Sequence, residues 1–280
     1  PPRPVPDQTR PMPQLTEIWT YRGLVGNFAQ RELRGKYKGS ALGWFWSLLN
    51  PLATLGIYTL IFGFFLKFPP PVAGNGELKN FAVYLFTALV AWNFFNAVVT
   101  GSIGALVGAG PLLKKIYFPP FAPVIGGAGA TLYQAGIEMG LLVVVMVVLH
   151  NISWTILLLP FLLALLALFS VGIGLVLSML NVRYRDVAYL VSIGMNLLFY
   201  ATPIIYPISK VPHERNGIPI RTLYDLNPLV QFVEAFRDIV YDLRVPSAGR
   251  LLGLTVVSVV VFFLGFAFFV RGSRDVAEEL

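Results

Sequence analysis

Apolar residues in this chain fall in long runs rather than in the narrow stripes of a water-soluble fold. Six runs stand out, at residues 42–66, 81–99, 122–149, 154–180, 188–206 and 251–270. A helix of about 20 mainly apolar residues crosses a hydrocarbon core about 30 Å thick. The pattern therefore predicts an all-α membrane protein with six transmembrane helices. Strands of a membrane barrel would be about 10 residues long and strictly alternating, and the sequence has no such pattern.

The polar segments between the runs predict the rest of the architecture. Residues 1–13 contain six prolines and read as a disordered tail. No signal peptide is visible, and the absence of an initial Met points to a processed or trimmed start. Residues 14–40 form an amphipathic segment and a basic gate. Leu15, Ile18, Trp19, Val25, Phe28 and Ala29 fall near one helical face, which suits a helix lying in the membrane interface. The spans occupy 41–270, and 271–280 is a short C-terminal tail.

Composition agrees with lipid as the solvent. The chain is 56% hydrophobic and 12% charged, with mean hydropathy +0.71, whereas soluble domains are about a quarter charged. Cysteine is absent and there are two histidines, which excludes disulfides, thiol chemistry and a zinc cluster. The net charge of +7 reports topology and lipid headgroups rather than nucleic acid. With six spans both termini share one side. Placing them in the cytoplasm puts Arg3, Arg10, Arg22, Arg31, Arg34, Lys36, Lys38, Lys114, Lys115, Arg183, Arg185, Arg271 and Arg274 inside, a majority of the 21 basic residues. That is the orientation the positive-inside rule favours, for a multi-pass protein of the plasma (inner) membrane.

Several polar or irregular features could carry function, and each has a structural reading beside it. The cluster Arg31, Arg34, Lys36, Lys38 anchors the first span or forms a headgroup site beside an entry gate. Gly104 and Gly108 have GxxxG spacing, which suits close helix packing. Lys114-Lys115-Ile116-Tyr117-Phe118-Pro119-Pro120 joins a basic pair to exposed aromatics, either as an interfacial belt or as a docking surface. Residues 181–187 form a turn facing the cytoplasm. The prolines of Thr202-Pro203-Ile204-Ile205-Tyr206-Pro207 break the fifth span, which is tolerated where protein or a water-filled cavity surrounds it. Asn227-Pro228 is an N-cap followed by proline at the first helical position. The apolar pattern to Tyr241 then fits either a surface helix or a re-entrant half-helix. Glu138, in the third span, is costly at membrane depth. It is a functional candidate or a hydrogen-bond partner of a neighbouring helix. The cluster Trp92-Asn93-Phe94-Phe95-Asn96 suits sugar, or plain core packing.

Catalytic machinery is not evident. The sequence has no P-loop, no HExxH, no GxSxG and no Asp-x-Asp, so it predicts a non-enzyme with no cofactor of its own.

These segments together resemble the permease subunit of ABC-2 type exporters of lipid-linked polysaccharide, the group that handles O-antigen, teichoic acid and capsule or cell-wall glycans. The stretch Arg31-Glu-Leu-Arg-Gly-Lys-Tyr-Lys-Gly-Ser-Ala-Leu-Gly-Trp-Phe-Trp-Ser-Leu-Leu-Asn-Pro51 is similar to the family's basic segment leading into a Pro-bearing first span. The Lys-Lys-aromatic-Phe-Pro loop, Arg183-Tyr-Arg-Asp186, the Pro-x-x-Tyr-Pro segment and Asn227-Pro228 follow in the family's order. Pro120 and Thr202 depart from the commoner Arg and Ser. The resemblance covers residues 15–280 and looks most like actinobacterial members exporting cell-wall galactan.

The resemblance implies a homodimeric pathway driven by two copies of an ATPase subunit, which holds the ATP and Mg. It also implies a substrate headgroup at Arg31, Arg34, Lys36, Tyr37 and Lys38. Channel candidates are Trp92, Asn93, Phe94, Phe95, Glu138, Phe199, Tyr200 and Tyr206. ATPase coupling falls to Lys114, Lys115, Tyr117, Phe118, Arg183, Tyr184, Arg185 and Asp186. Partners are a second copy, the ATPase, the bilayer and the lipid-linked polysaccharide, with no nucleic acid. Three alternatives stand beside this reading. One is a permease of the same type for a small lipid or drug. The second is a polyprenyl-phosphate sugar transferase, for which Asp186 and Glu32 are a poor basis. The third is a secondary transporter, for which Glu138 is the sole strong midplane candidate.

Overall fold

The computed structural model describes residues 15–36, 38–67, 71–116, 118–215, 217 and 219–273. The predicted Pro-rich tail, Tyr37, Tyr117, Arg274 and the rest of the C-terminal tail lie outside the described residues. Among the described residues the regular elements are helices. They are α1 (Leu15–Thr20), α2 (Arg22–Lys36), α3 (Trp46–Tyr58), α4 (Phe81–Leu113), α5 (Phe121–Val148), α6 (Leu159–Arg183), α7 (Val187–Ala201), α8 (Ile220–Leu226), α9 (Pro228–Val240) and α10 (Ala248–Gly272), with short 3-10 turns between some of them and a π-helical stretch, Thr59–Phe65, continuing α3.

Five helical segments are long and apolar enough to cross a membrane: Gly43–Phe65, Phe81–Leu113, Phe121–Val148, Trp154–Arg183 and Ala248–Gly272. The fifth predicted run, 188–206, gives a shorter helix. α7 holds 15 residues, about 22 Å, and stops at Ala201. Thr202 takes an extended conformation (φ −105°, ψ 135°), as expected of a residue directly before a proline.

α4 is the axle of the fold. It packs against α5, α6, α7 and α9, and its buried face carries Phe86, Val90, Phe94 and Leu106. Asn80 caps it, accepting from the Val83 N–H at 3.3 Å. α6 crosses α10 at two glycines. A Cβ on Gly172 would stand 2.6 Å from the Val261 carbonyl oxygen, and one on Gly265 would overlap the Gly172 carbonyl. The absence of side chains there lets the two backbones touch.

α2 lies along α5. Its buried anchor is Phe28, seated where a Cβ on Gly126 would come within 2.5 Å of the Phe28 Cβ. Val25 and Phe28 of the predicted apolar face turn toward α5, while Trp19 is 74% exposed under the Arg22 guanidinium at 5.0 Å.

The pattern beginning at Asn227-Pro228 is α9, and it is not a surface helix. Asn227 caps it, accepting from the Leu229 N–H at 3.0 Å. Phe232, Val233, Phe236, Ile239 and Val240 are buried among α4, α6 and α10. The last carbonyls of α9 have no intrahelical partner. Thr155 donates to the Ile239 carbonyl at 2.8 Å, and Asn151 donates to the Val240 and Tyr241 carbonyls, both at 3.0 Å.

Candidate functional site

A cavity of about 610 Å³ opens between α2, α4 and α5 at the end of the bundle that carries the basic cluster. Arg31, Glu32 and Lys36 from α2 line one side, and Thr131 and Gln134 from α5 lie across from them. The floor is α4, through Ala97, Gly101, Gly104 and Gly108. A Cβ added to Gly101, Gly104 or Gly108 would meet nothing within 4 Å. The GxxxG spacing therefore does not serve helix packing within the chain; it leaves this wall flat. Of the predicted headgroup residues, Arg31 and Lys36 line the cavity, whereas Arg34 and Lys38 are exposed outside it.

Beneath the cavity runs a polar track. Pro51 lies inside α3 and has no N–H, so the Ser47 carbonyl one turn earlier loses its helical donor. Gln134 replaces that donor, with Nε2 3.0 Å from the Ser47 oxygen. The Gln134 Oε1 accepts from Lys36 Nζ at 3.4 Å. One turn further along α5 stands Glu138, with Gln134 and Asn93 of α4 as its polar neighbours. Gln134 thus ties α2, the first span and α5 together. The signal that could have found it is a proline in a span, which demands an outside donor.

The predicted channel residues separate into two groups. Trp92, Phe94 and Phe95 are buried in the protein core. Trp92 meets Phe199 edge-on at 5.4 Å, and Phe95 stacks on Phe169 at 5.9 Å. Their alternative reading, core packing, is the one the fold realises for Trp92, Phe94 and Phe95. Asn93 is exposed on α4, and Tyr200 on α7 is 63% exposed. Tyr206 is half-buried, donating to or accepting from the Tyr224 hydroxyl at 2.9 Å.

The two predicted coupling loops meet at one cleft. Lys114 and Arg185 line a cavity of about 350 Å³ with Pro111, Asn181 and Val182. Lys115, Tyr184 and Asp186 are exposed nearby, and Arg183 ends α6. Phe118 differs from its expected exposure. It is 3% exposed, with its ring 5.4 Å from that of Phe28. Phe118 is thereby pinned against α2.

At the opposite end, α9 carries a buried ionic cluster that the sequence did not single out. Arg237 donates to the Pro203 and Ile204 carbonyls at 2.7 and 2.8 Å and to Glu234 at 2.9 Å. These carbonyls belong to the proline-broken segment after α7, so Arg237 satisfies the groups the break set free. Asp238 is held by Arg244 and Arg250. Among the described residues no cluster of His, Cys, Asp and Glu could hold a metal ion.

Comparison with known proteins matches this sequence to a transport family. The profile of the family described as ABC-2 type transporter matches residues 24–241. An O-antigen export system permease protein, RfbA, of Myxococcus xanthus is 30% identical over 267 residues, covering 95% of this chain and 98% of that protein. RfbA of Klebsiella pneumoniae is 28% identical over 216 residues, 75% of this chain and 76% of that protein. The polysialic acid transport protein KpsM of Escherichia coli is 25% identical over 248 residues, 85% of this chain and 89% of that protein.

Proposed function

The chain belongs to the ABC-2 type transporter family, and we propose that it is the membrane-spanning subunit of an exporter that carries a polyprenyl-diphosphate-linked polysaccharide out of the cytoplasm. The observation that carries this reading is the cavity at the basic end of the bundle, where Arg31 and Lys36 stand over a flat glycine wall beside the first span. Two fixed cations at the membrane interface attract a diphosphate, and the wall leaves room for what the diphosphate carries. Relatives named as O-antigen export permeases and a polysialic acid transport protein support a polysaccharide as cargo.

The chain supplies passage and recognition, while ATP and Mg act on a separate ATPase subunit. Lys114 and Arg185, drawn together from two loops into one cleft, support docking of that subunit there. In this reading two copies of the chain and two of the ATPase form the machine. α7 remains largely exposed in the single chain and carries Ser192, Asn196 and Tyr200, polar groups that lipid cannot satisfy. A second copy or a wet pathway on this face would satisfy them. α7 with its proline-broken extension then serves as the sixth crossing, and both termini face the cytoplasm. The likeness to galactan exporters makes a cell-wall galactan the proposed glycan.

The test replaces Arg31, Arg34, Lys36 and Lys38 by Ala together. Surface glycan should fall sharply while the ATPase still co-purifies with the permease. Undiminished export would refute the headgroup site.

A further inference from the structure

The charge lining the α2–α4–α5 cavity does not suit a bare diphosphate. Glu32 lines it together with Arg31 and Lys36. A carboxylate beside a phosphate site repels the ligand and removes part of the attraction the cations supply. Its usual excuse on a helix is an ion pair, and Glu32 stands four residues before Lys36, the favoured orientation for one. That pair is not made. Lys36 turns to Gln134 instead, at 3.4 Å, and among the described residues Glu32 forms no ion pair or hydrogen bond with its side chain. A carboxylate that accepts hydrogen bonds but cannot donate them is thus left facing a cavity large enough for far more than a diphosphate.

We propose that this cavity reads the sugar attached directly to the diphosphate, with Glu32 accepting hydrogen bonds from its hydroxyls while Arg31 and Lys36 hold the phosphates. This inference rests on the headgroup reading above and sharpens it. Groups that both donate hydrogen bonds and follow a diphosphate are sugar hydroxyls; the isoprenoid on the other side offers none. The rest of the lining fits a sugar ring. Gly101, Gly104 and Gly108 leave a flat wall with open space in front of it. Thr131 donates to the Gly127 carbonyl at 3.1 Å, which leaves its oxygen free to accept. The site would then select the first unit of the glycan, so that selection occurs at loading and does not depend on the length of the chain behind it.

The experiment measures binding to the permease–ATPase complex in lipid nanodiscs. The probes are farnesyl diphosphate and its esters carrying one glucose, galactose or N-acetylglucosamine. At least one glycosylated probe should bind about ten-fold tighter than farnesyl diphosphate, the yield of one hydrogen bond to a charged group. Glu32→Ala should erase that preference and bind farnesyl diphosphate as well as or better than the parent, because a repelling charge is gone. Gly104→Leu, which fills the wall, should also lose the preference. If farnesyl diphosphate binds but no sugar adds affinity, or the preference survives Glu32→Ala, the sugar-reading role is overturned and the headgroup reading stands. If none of the probes binds, both are overturned.

Discussion

The guanidinium carbon of Arg237 sits 3.9 Å from the centroid of the Tyr84 ring, so α9 is fastened to α4 by a cation on an aromatic face. The same side chain is 2% exposed and fills the carbonyls of Pro203 and Ile204. Arg237→Leu would remove the cation and leave those carbonyls and Glu234 without their donor. The expected loss is about 3–5 kcal/mol, read as a large fall in thermal unfolding temperature of the purified protein. Arg237→Lys keeps the charge but cannot fork to two carbonyls, and should recover only part of it. Two variants as stable as the parent would show that the fastening is ornamental.

Asp242 makes stability depend on pH. Burial pushes its carboxyl up to about 6, against the pull of Arg244 and with further upward pushes from Asp238 and Glu234. An unfolded aspartate titrates near 4. Between about 4 and 6 the folded chain therefore holds a proton that the unfolded chain releases, and stability rises as pH falls through that window. Asp242→Asn should raise the melting temperature at pH 7.5 by a few degrees and flatten its change between pH 5 and 7.5. A slope unchanged by the substitution would assign the pH effect to another group.

Glycines at two places should respond oppositely. Gly265→Ala forces a methyl into the Gly172 carbonyl and should cost about 2 kcal/mol or more. Gly104→Ala meets nothing within 4 Å, and relieving helical glycine should be neutral or stabilising by up to about 1 kcal/mol. Melting curves of the two variants check the contrast directly.

Phe118 links the proposed ATPase-docking loop to α2 through Phe28. Phe118→Leu keeps an apolar filler but shortens the contact. The expected outcome is an intact complex that hydrolyses ATP and exports several-fold less glycan. Full export by this variant would rule out the link as a route for coupling.

Much of the fold could be read from the chain because its signals are local. Five of the six apolar runs, the Asn227-Pro228 cap and the break at Thr202-Pro203 each depend on neighbouring residues and appear where expected, whereas the run at 188–206 yields a helix too short to count among the spans. The misses depend on contacts across the sequence. Trp92, Phe94 and Phe95 have the same composition whether they face sugar or core, and packing against Phe169 and Phe199 decides it. Phe118 held a pattern position that predicted exposure and is buried instead. The proline in α3 was visible, but the donor that serves its orphaned carbonyl lies 87 residues away.

That donor has a mechanical consequence. Elsewhere in a helix, bending at a turn stretches rungs of its own backbone ladder. At Ser47 the missing rung is supplied by a side chain on another helix, so flexing the first span at Pro51 breaks one side-chain hydrogen bond, about 1 kcal/mol. Residues 47–51 are therefore a compliant joint of the span, and its stiffness is set by whatever Gln134 is touching.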